Sequence, residues 1–256
     1  MGHLNLADSG GNRQINFDPR ETILHQIVAR TRFSGPGYYE VLQWLHEELA
    51  PESYLEIGVF RGRSLSLARP PTVALGIDPA PEVNQHCQAQ TQVVPMASTE
   101  FFSKHSLDEF FPTNSFSLAL VDGLHHFEQA MDDIFNLEVY AHAGSLIAVH
   151  DTIPLDEKTA DRTRRTVFYT GDVWKIVPFL KEFRPDLEIV TVRTGPSGLT
   201  LIRHMSLSGK KWQADAKALG RYRELPFDYY RQHRNEFLET IPNQREAVAG
   251  WLSRGK

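Results

Sequence analysis

The stretch Tyr54-Leu-Glu-Ile-Gly-Val-Phe-Arg-Gly-Arg-Ser64 constrains this chain more than any other. An apolar run ends in Gly58, a second glycine follows at Gly62, and Ser64 opens the helix-like run Ser-Leu-Ser-Leu-Ala. The order reads as strand, tight turn, helix. Glycine tolerates unusual backbone angles and carries no Cβ, so such a turn lets a ligand approach the main chain. A helix starting there aims free N–H groups at it. The spacing differs from the G-x-G-x-x-G of dinucleotide sites. The first glycine is missing, and Glu56 stands two residues before Gly58. A carboxylate there suits a ligand bearing a cationic amino group and repels a pyrophosphate.

The run Thr72-Val-Ala-Leu-Gly-Ile-Asp78 then ends in an acid sixteen positions past Gly62. An acid near that distance can accept hydrogen bonds from both ribose hydroxyls. The glycine turn resembles motif I of the class I S-adenosylmethionine-dependent methyltransferases, and in that family an acid ending the second strand holds the ribose. The resemblance implies S-adenosylmethionine as cofactor. It places Glu56, Gly58, Gly62, Ser64 and Asp78 around the cofactor, with Ser98, after the third strand, along the adenine edge.

Apolar runs and helical stretches alternate along the chain. Strands are expected at 54–57, 73–77, 91–94, 117–121, 145–149, 187–191 and 199–203. Helices are expected at 21–30, 38–49, 63–69, 82–89, 99–110, 126–140 and 173–182. Alternation predicts an α/β, doubly wound, Rossmann-like sheet of seven mostly parallel strands with helices on both faces. The last two strands are separated by too few residues for a crossover helix, so the final strand is expected to be antiparallel. Residues 1–50 read as N-terminal helices of the same domain. Residues 51–205 read as the cofactor-binding catalytic domain and 206–256 as a helical extension. The two N-terminal helices are expected to pack on the sheet or cover the ligand.

A second segment carries the chemistry. Phe116-Ser-Leu-Ala-Leu-Val ends in Asp122, with His125 three residues on; Ser145-Leu-Ile-Ala-Val ends in His150-Asp151-Thr152. In a doubly wound fold both strand ends open into the ligand crevice. Val-Asp-Gly-x-His, then His-Asp-Thr, then Gly171-Asp172-Val173-Trp174-Lys175 resembles the sugar O-methyltransferases of antibiotic pathways related to the macrocin and mycinamicin enzymes. That resemblance implies Asp122 and Asp151 as ligands of Mg²⁺, Asp122 also beside the cofactor, and His125 as general base. A sugar hydroxyl is a poor nucleophile at neutral pH. A Lewis acid on its oxygen and a base for its proton answer that difficulty. A metal-independent O- or N-methyltransferase, and a non-catalytic cofactor-binding protein on the same sheet, remain open as alternatives.

The remaining features set the setting. A net charge of −5 argues against nucleic acid as a partner and leaves a small-molecule acceptor. From Met205 onward ten Lys or Arg face six Asp or Glu, which makes that tail basic. Its aromatic residues predict packing on the domain or on another subunit of a homo-oligomer. Arg162, Arg164 and Arg165, in a segment without periodicity, are candidates to clamp an anion, or else form a solvated loop. The single Cys87 rules out an internal disulfide framework. The polar N-terminus lacks a signal-peptide pattern and its end is expected to be mobile. No apolar run approaches membrane length, so a cytoplasmic enzyme without a membrane partner is the expectation.

Overall fold

The computed structural model describes residues 17–254. The expected mobility of the extreme N-terminus concerns residues outside that range. An eight-stranded sheet runs β3-β2-β1-β4-β5-β7-β6-β8. Its strands are β1 (Ser53–Ile57), β2 (Val73–Asp78), β3 (Gln90–Pro95), β4 (Phe116–Val121), β5 (Ala141–His150), β6 (Glu188–Val192), β7 (Leu199–Arg203) and β8 (Thr240–Ile241). All neighbours pair in parallel except β7, which is antiparallel to β5 and to β6. The eighth strand is two residues from the C-terminal segment, added beside β6.

Side chains alternate between the faces of a strand. Leu55, Ile57, Leu75, Ile77, Ala119 and Val121 feed one core with Phe101, Phe127, Ile134 and Phe179. Tyr54, Ala74, Leu118, Leu120 and Ala148 feed the other with Val41, Leu42, Leu45, Val248 and Trp251. Burial on both faces explains why the central strands read as continuous apolar runs. The helices are α1 (Pro19–Arg32), α2 (Tyr38–Leu49), α3 (Ser98–Lys104), α4 (Phe127–Glu138), α5 (Ile176–Phe183), α6 (Ala216–Arg223), α7 (Phe227–Phe237) and α8 (Arg245–Ser253).

Several expected helices are shorter or absent. The stretch 63–69 holds only a 3-10 turn at Leu65–Leu67. Residues 82–89 form no helix. Glu82 and Asn84 instead donate their N–H groups to Phe60 and Arg61 carbonyls, which lays this segment over the glycine turn. The stretch 99–110 divides into α3 and a 3-10 turn at Leu107–Glu109. Helix α1 also departs from expectation. Its apolar residues Ile23, Leu24, Ile27 and Val28 face outward, and His25 and Ala29 are buried instead. It is held by His25 Nε2 to Asp156 Oδ2 at 2.9 Å and by Arg32 Nη1 to the Pro154 carbonyl at 2.9 Å. The C-terminal segment is built into the molecule: Tyr230, Val248 and Trp251 are buried, and α8 packs against α2.

Candidate active site

The turn after β1 is formed largely by demands of the protein itself. Gly58 has φ +89°, and a Cβ there would meet the Asp122 carbonyl oxygen at 2.1 Å. Gly62 has φ +78°, and a Cβ would press on Val83 at 2.9 Å. Both positions therefore need glycine for backbone angle and for close approach. Phe60, between them, also lies at positive φ and is half exposed.

Two acids brace this turn. Asp78, at the end of β2, accepts the N–H groups of Val59 (2.9 Å) and Phe60 (2.8 Å) on Oδ2 and that of Ala80 (2.8 Å) on Oδ1. A carboxylate has about four acceptor positions, so this pattern leaves capacity for a ribose hydroxyl. Glu56 is fully buried, with Oε2 accepting from Tyr54 Oη and Oε1 from Ser64 Oγ, each at 2.7 Å. Glu56 thus acts on the turn through Ser64. Burial pushes its carboxyl up to about 8 against the pull of the two hydroxyl bonds, with Asp122 and Asp78 adding to the rise.

The strand ends of β4 and β5 bring together the residues singled out between them. One ligand atom each of Asp122, His125 and Asp151 lie within 4.8 Å of one another. His125 Nδ1 is 3.1 Å from the Tyr169 carbonyl and 3.2 Å from Asp151 Oδ2. Both neighbours only accept, so Nδ1 carries a hydrogen. Nε2 stands 3.7 Å from Asp122 Oδ1. The loop behind His125 needs Gly171, where a Cβ would meet the His125 carbonyl oxygen at 1.8 Å. Asp172 accepts the N–H of Phe127 at 2.8 Å, the first residue of α4. The Gly171-Asp172 pair is therefore what holds His125 in place.

Three further residues complete the cluster. His150 Nδ1 lies 3.2 Å from Asp122 Oδ1 and 3.4 Å from Asp151 Oδ1. Ser197, in the hairpin between β6 and β7, donates to Asp151 Oδ1 and is 3.3 Å from His150 Nε2. Tyr38 stacks on the His150 ring at 3.9 Å, its hydroxyl 3.5 Å from Asp122 Oδ2. Burial disfavours charge on His150, but Asp151 and Asp122 outweigh it and raise its pKa to about 9. Burial likewise opposes ionisation of Asp122; His150, His125 and the Tyr38 hydroxyl outweigh it and hold that carboxyl below the usual range. Asp151 itself has φ +64°, a backbone strain placed at the site.

Not every expected residue converges. Ser98 is the buried first residue of α3 and gives its hydroxyl to Asp133 Oδ1 at 2.6 Å, which ties α3 to α4. Arg162 pairs with Glu128 and Asp172, both at 2.7 Å, and Arg165 with Asp161 at 3.0 Å. Arg164 reaches the Val167 carbonyl. The arginines of this segment are therefore engaged within the fold. Ser197 and Tyr38 were missed. Ser197 lies in a turn and Tyr38 at a helix start, and only the sheet order brings either to the acids.

Residues 55–152 match a family described as a methyltransferase domain. No curated protein matches the chain as a sequence. Among solved structures, the cofactor-bound Rv0187 of MTB is 15% identical, covering 74% of this chain and 91% of its own, with a TM-score of 0.49. The S-adenosylhomocysteine complex of a Bacillus cereus O-methyltransferase is 12% identical, covering 74% and 92%, TM-score 0.48. TomG of Streptomyces achromogenes, an O-methyltransferase of tomaymycin synthesis bound to S-adenosylmethionine, is 12% identical, covering 75% and 92%, TM-score 0.47. The matched segment runs from β1 through the glycine turn to the acid after β5. That match makes residues 55–152 similar to a methyltransferase domain.

Proposed function

We propose that this enzyme methylates a hydroxyl oxygen of a small metabolite such as a sugar, with Asp122 and Asp151 holding Mg²⁺ and His125 as the base. The observation that carries the reading is the convergence of two carboxylates and an imidazole nitrogen within 4.8 Å at the ends of β4 and β5. Two carboxylate oxygens suit a hard divalent cation that keeps several waters. A cation held there would lower the pKa of an acceptor hydroxyl and orient it.

The chain's own residues supply the rest. The glycine turn and Asp78 are proposed to hold the cofactor, with Glu56 and Ser64 fixing the turn from beneath. Ser98 is proposed along the adenine edge, through its backbone, because its hydroxyl is engaged by Asp133. S-adenosylmethionine supplies an electrophilic methyl carbon on a sulfonium. His125 Nε2 would take the proton of the acceptor hydroxyl as its oxygen is methylated. Tyr169, through its carbonyl on Nδ1, keeps His125 in the tautomer this requires.

A second reading is favoured by the placement of His150 between both carboxylates. There the acids orient histidines, and His125 acts without a metal. Chelation separates the two. With S-adenosylmethionine and a panel of sugars and phenols, the first reading expects turnover to vanish after exhaustive chelation and to return with Mg²⁺. Asp122→Asn and Asp151→Asn should depress turnover while leaving S-adenosylhomocysteine affinity nearly intact. Full turnover in chelator would remove the metal and leave the second reading.

A further inference from the structure

A cavity of about 400 Å³ opens beside the outer strands, lined among others by Arg32, Ser34, Arg193, Thr240 and Asn243. That volume falls within the range of small-molecule sites. Its charged lining is two guanidiniums and no carboxylate. Arg193 is exposed and makes no side-chain hydrogen bond or ion pair among the described residues. Arg32 spends one nitrogen on the Pro154 and Leu155 carbonyls, at 2.9 and 3.4 Å, and meets no acid. Two cations facing one cavity without counter-charge favour an anion, and guanidinium forks suit phosphoryl oxygens.

The polar lining adds to this. Asn243 gives its amide nitrogen to the Pro36 and Ser34 carbonyls at 2.8 and 3.3 Å, which fixes the amide and leaves Oδ1 buried without a donor. Buried polar groups are normally satisfied. The hydroxyl-bearing lining residues Ser34 and Thr240 suit ligand hydroxyls, and a phosphoryl oxygen would meet the arginines. The volume exceeds what a bare oxyanion fills, so an organic portion belongs with the charge.

The cavity is separate from the methyl-transfer site. Tyr38 N–H donates to the Gly195 carbonyl and Thr194 Oγ1 to the Pro36 carbonyl, both at 2.8 Å, so two backbone segments close between them. Ser197, which touches Asp151, lies four residues from Arg193, a chain path of at most about 14 Å. We infer that this cavity binds a phosphomonoester of a small polyhydroxylated molecule, as a second site beside the methyl-transfer centre.

Titration calorimetry of the full chain at low salt tests this with ribose 5-phosphate, inorganic phosphate and ribose. Ribose 5-phosphate should bind, inorganic phosphate more weakly, and ribose not measurably. Arg193→Ala should weaken ribose 5-phosphate by about tenfold or more, the loss of one charge-assisted bond. The same variant should keep its melting temperature and its S-adenosylhomocysteine affinity, because Arg193 is exposed and makes no side-chain hydrogen bond or ion pair among the described residues. Arg193→Lys should retain part of the binding. Absence of heat with ribose 5-phosphate, or less than a threefold loss in Arg193→Ala, would overturn the site. Equal binding of inorganic phosphate would overturn the ester, and equal binding of ribose the charge recognition.

Discussion

Glu56 offers the most quantitative test of how the glycine turn is held. It sits mid-strand in β1 with no exposed atom, satisfied only by the Tyr54 and Ser64 hydroxyls. Burial lifts its carboxyl from 4.5 to about 8. The unfolded chain releases this proton near the ordinary value, whereas the folded chain keeps it until about 8. Between those limits the folded state binds more protons, so stability is full below about 4.5 and declines as pH rises through about 8. At about 1.4 kcal/mol per pH unit, the shift from 4.5 to about 8 gives a full decline of about 5 kcal/mol, of which about 4 kcal/mol falls between pH 5 and 9. Glu56→Gln has the same shape and imitates the protonated acid. Its amide oxygen accepts from one hydroxyl, and its nitrogen donates to the other, which turns to accept. Urea unfolding at pH 5, 6, 7, 8 and 9 should show variant and wild type within about 1 kcal/mol at pH 5. The difference should grow in the variant's favour by about 4 kcal/mol at pH 9. Other titrating groups cancel in that difference. Parallel stability curves would refute the reasoning, and a variant losing ground as pH rises would mean that the folded protein holds an ionised Glu56.

Other consequences are checked more simply. Asp78→Ala strips acceptors from the Val59 and Phe60 N–H groups and should cost S-adenosylhomocysteine binding about 1.5–3 kcal/mol in calorimetry; unchanged affinity would remove the proposed ribose role. His125→Ala should lower turnover by about 10²–10⁴-fold with cofactor affinity retained, and full turnover would dismiss it as base. Gly58→Ala drives a Cβ to 2.1 Å from the Asp122 carbonyl oxygen at a positive φ. It should lose about 3 kcal/mol or more in thermal or urea unfolding, and a wild-type melt would contradict the close approach.

Six of the seven longer strands were legible in the sequence because each is a largely buried apolar run ended by a glycine, an acid or a turn, whereas the edge strand β3 is half polar with no buried residue. Asp122, His125 and Asp151 were legible for a related reason, since strand ends in such a sheet share one edge. What escaped was set by tertiary contact. Residues 82–89 have an acceptable helical composition, yet Val83 is drawn against Gly62 and the backbone bonds to Phe60 and Arg61. Strand β8 is two residues long and exists only because β6 offers an edge. In α1 the apolar stripe is real, but His25 and Arg32 fix the helix through Asp156 and the Pro154 carbonyl and turn that stripe outward. Ser197 and Tyr38 carry no local signal, because the acids they touch lie tens of residues away in the chain.

The glycine turn and the acid cluster are joined more directly than their separation in sequence suggests. Asp122 N–H donates to the Ile57 carbonyl at 2.9 Å, and the missing Cβ of Gly58 is what lets the Asp122–Gly123 backbone lie against the turn. Asp78 holds the other side of that turn by two N–H groups. The proposed cofactor cradle and the proposed acceptor site are therefore fixed to each other by main chain, with no flexible side chain between them. Methyl transfer needs sulfur, carbon and oxygen close to a line, and much of the acceleration available to such an enzyme comes from positioning. A rigid backbone junction at Gly58 and Asp122 is the feature of this fold that would supply it. On this argument a substitution at Gly58 that still folds should lower turnover more than it lowers the affinity for either substrate alone.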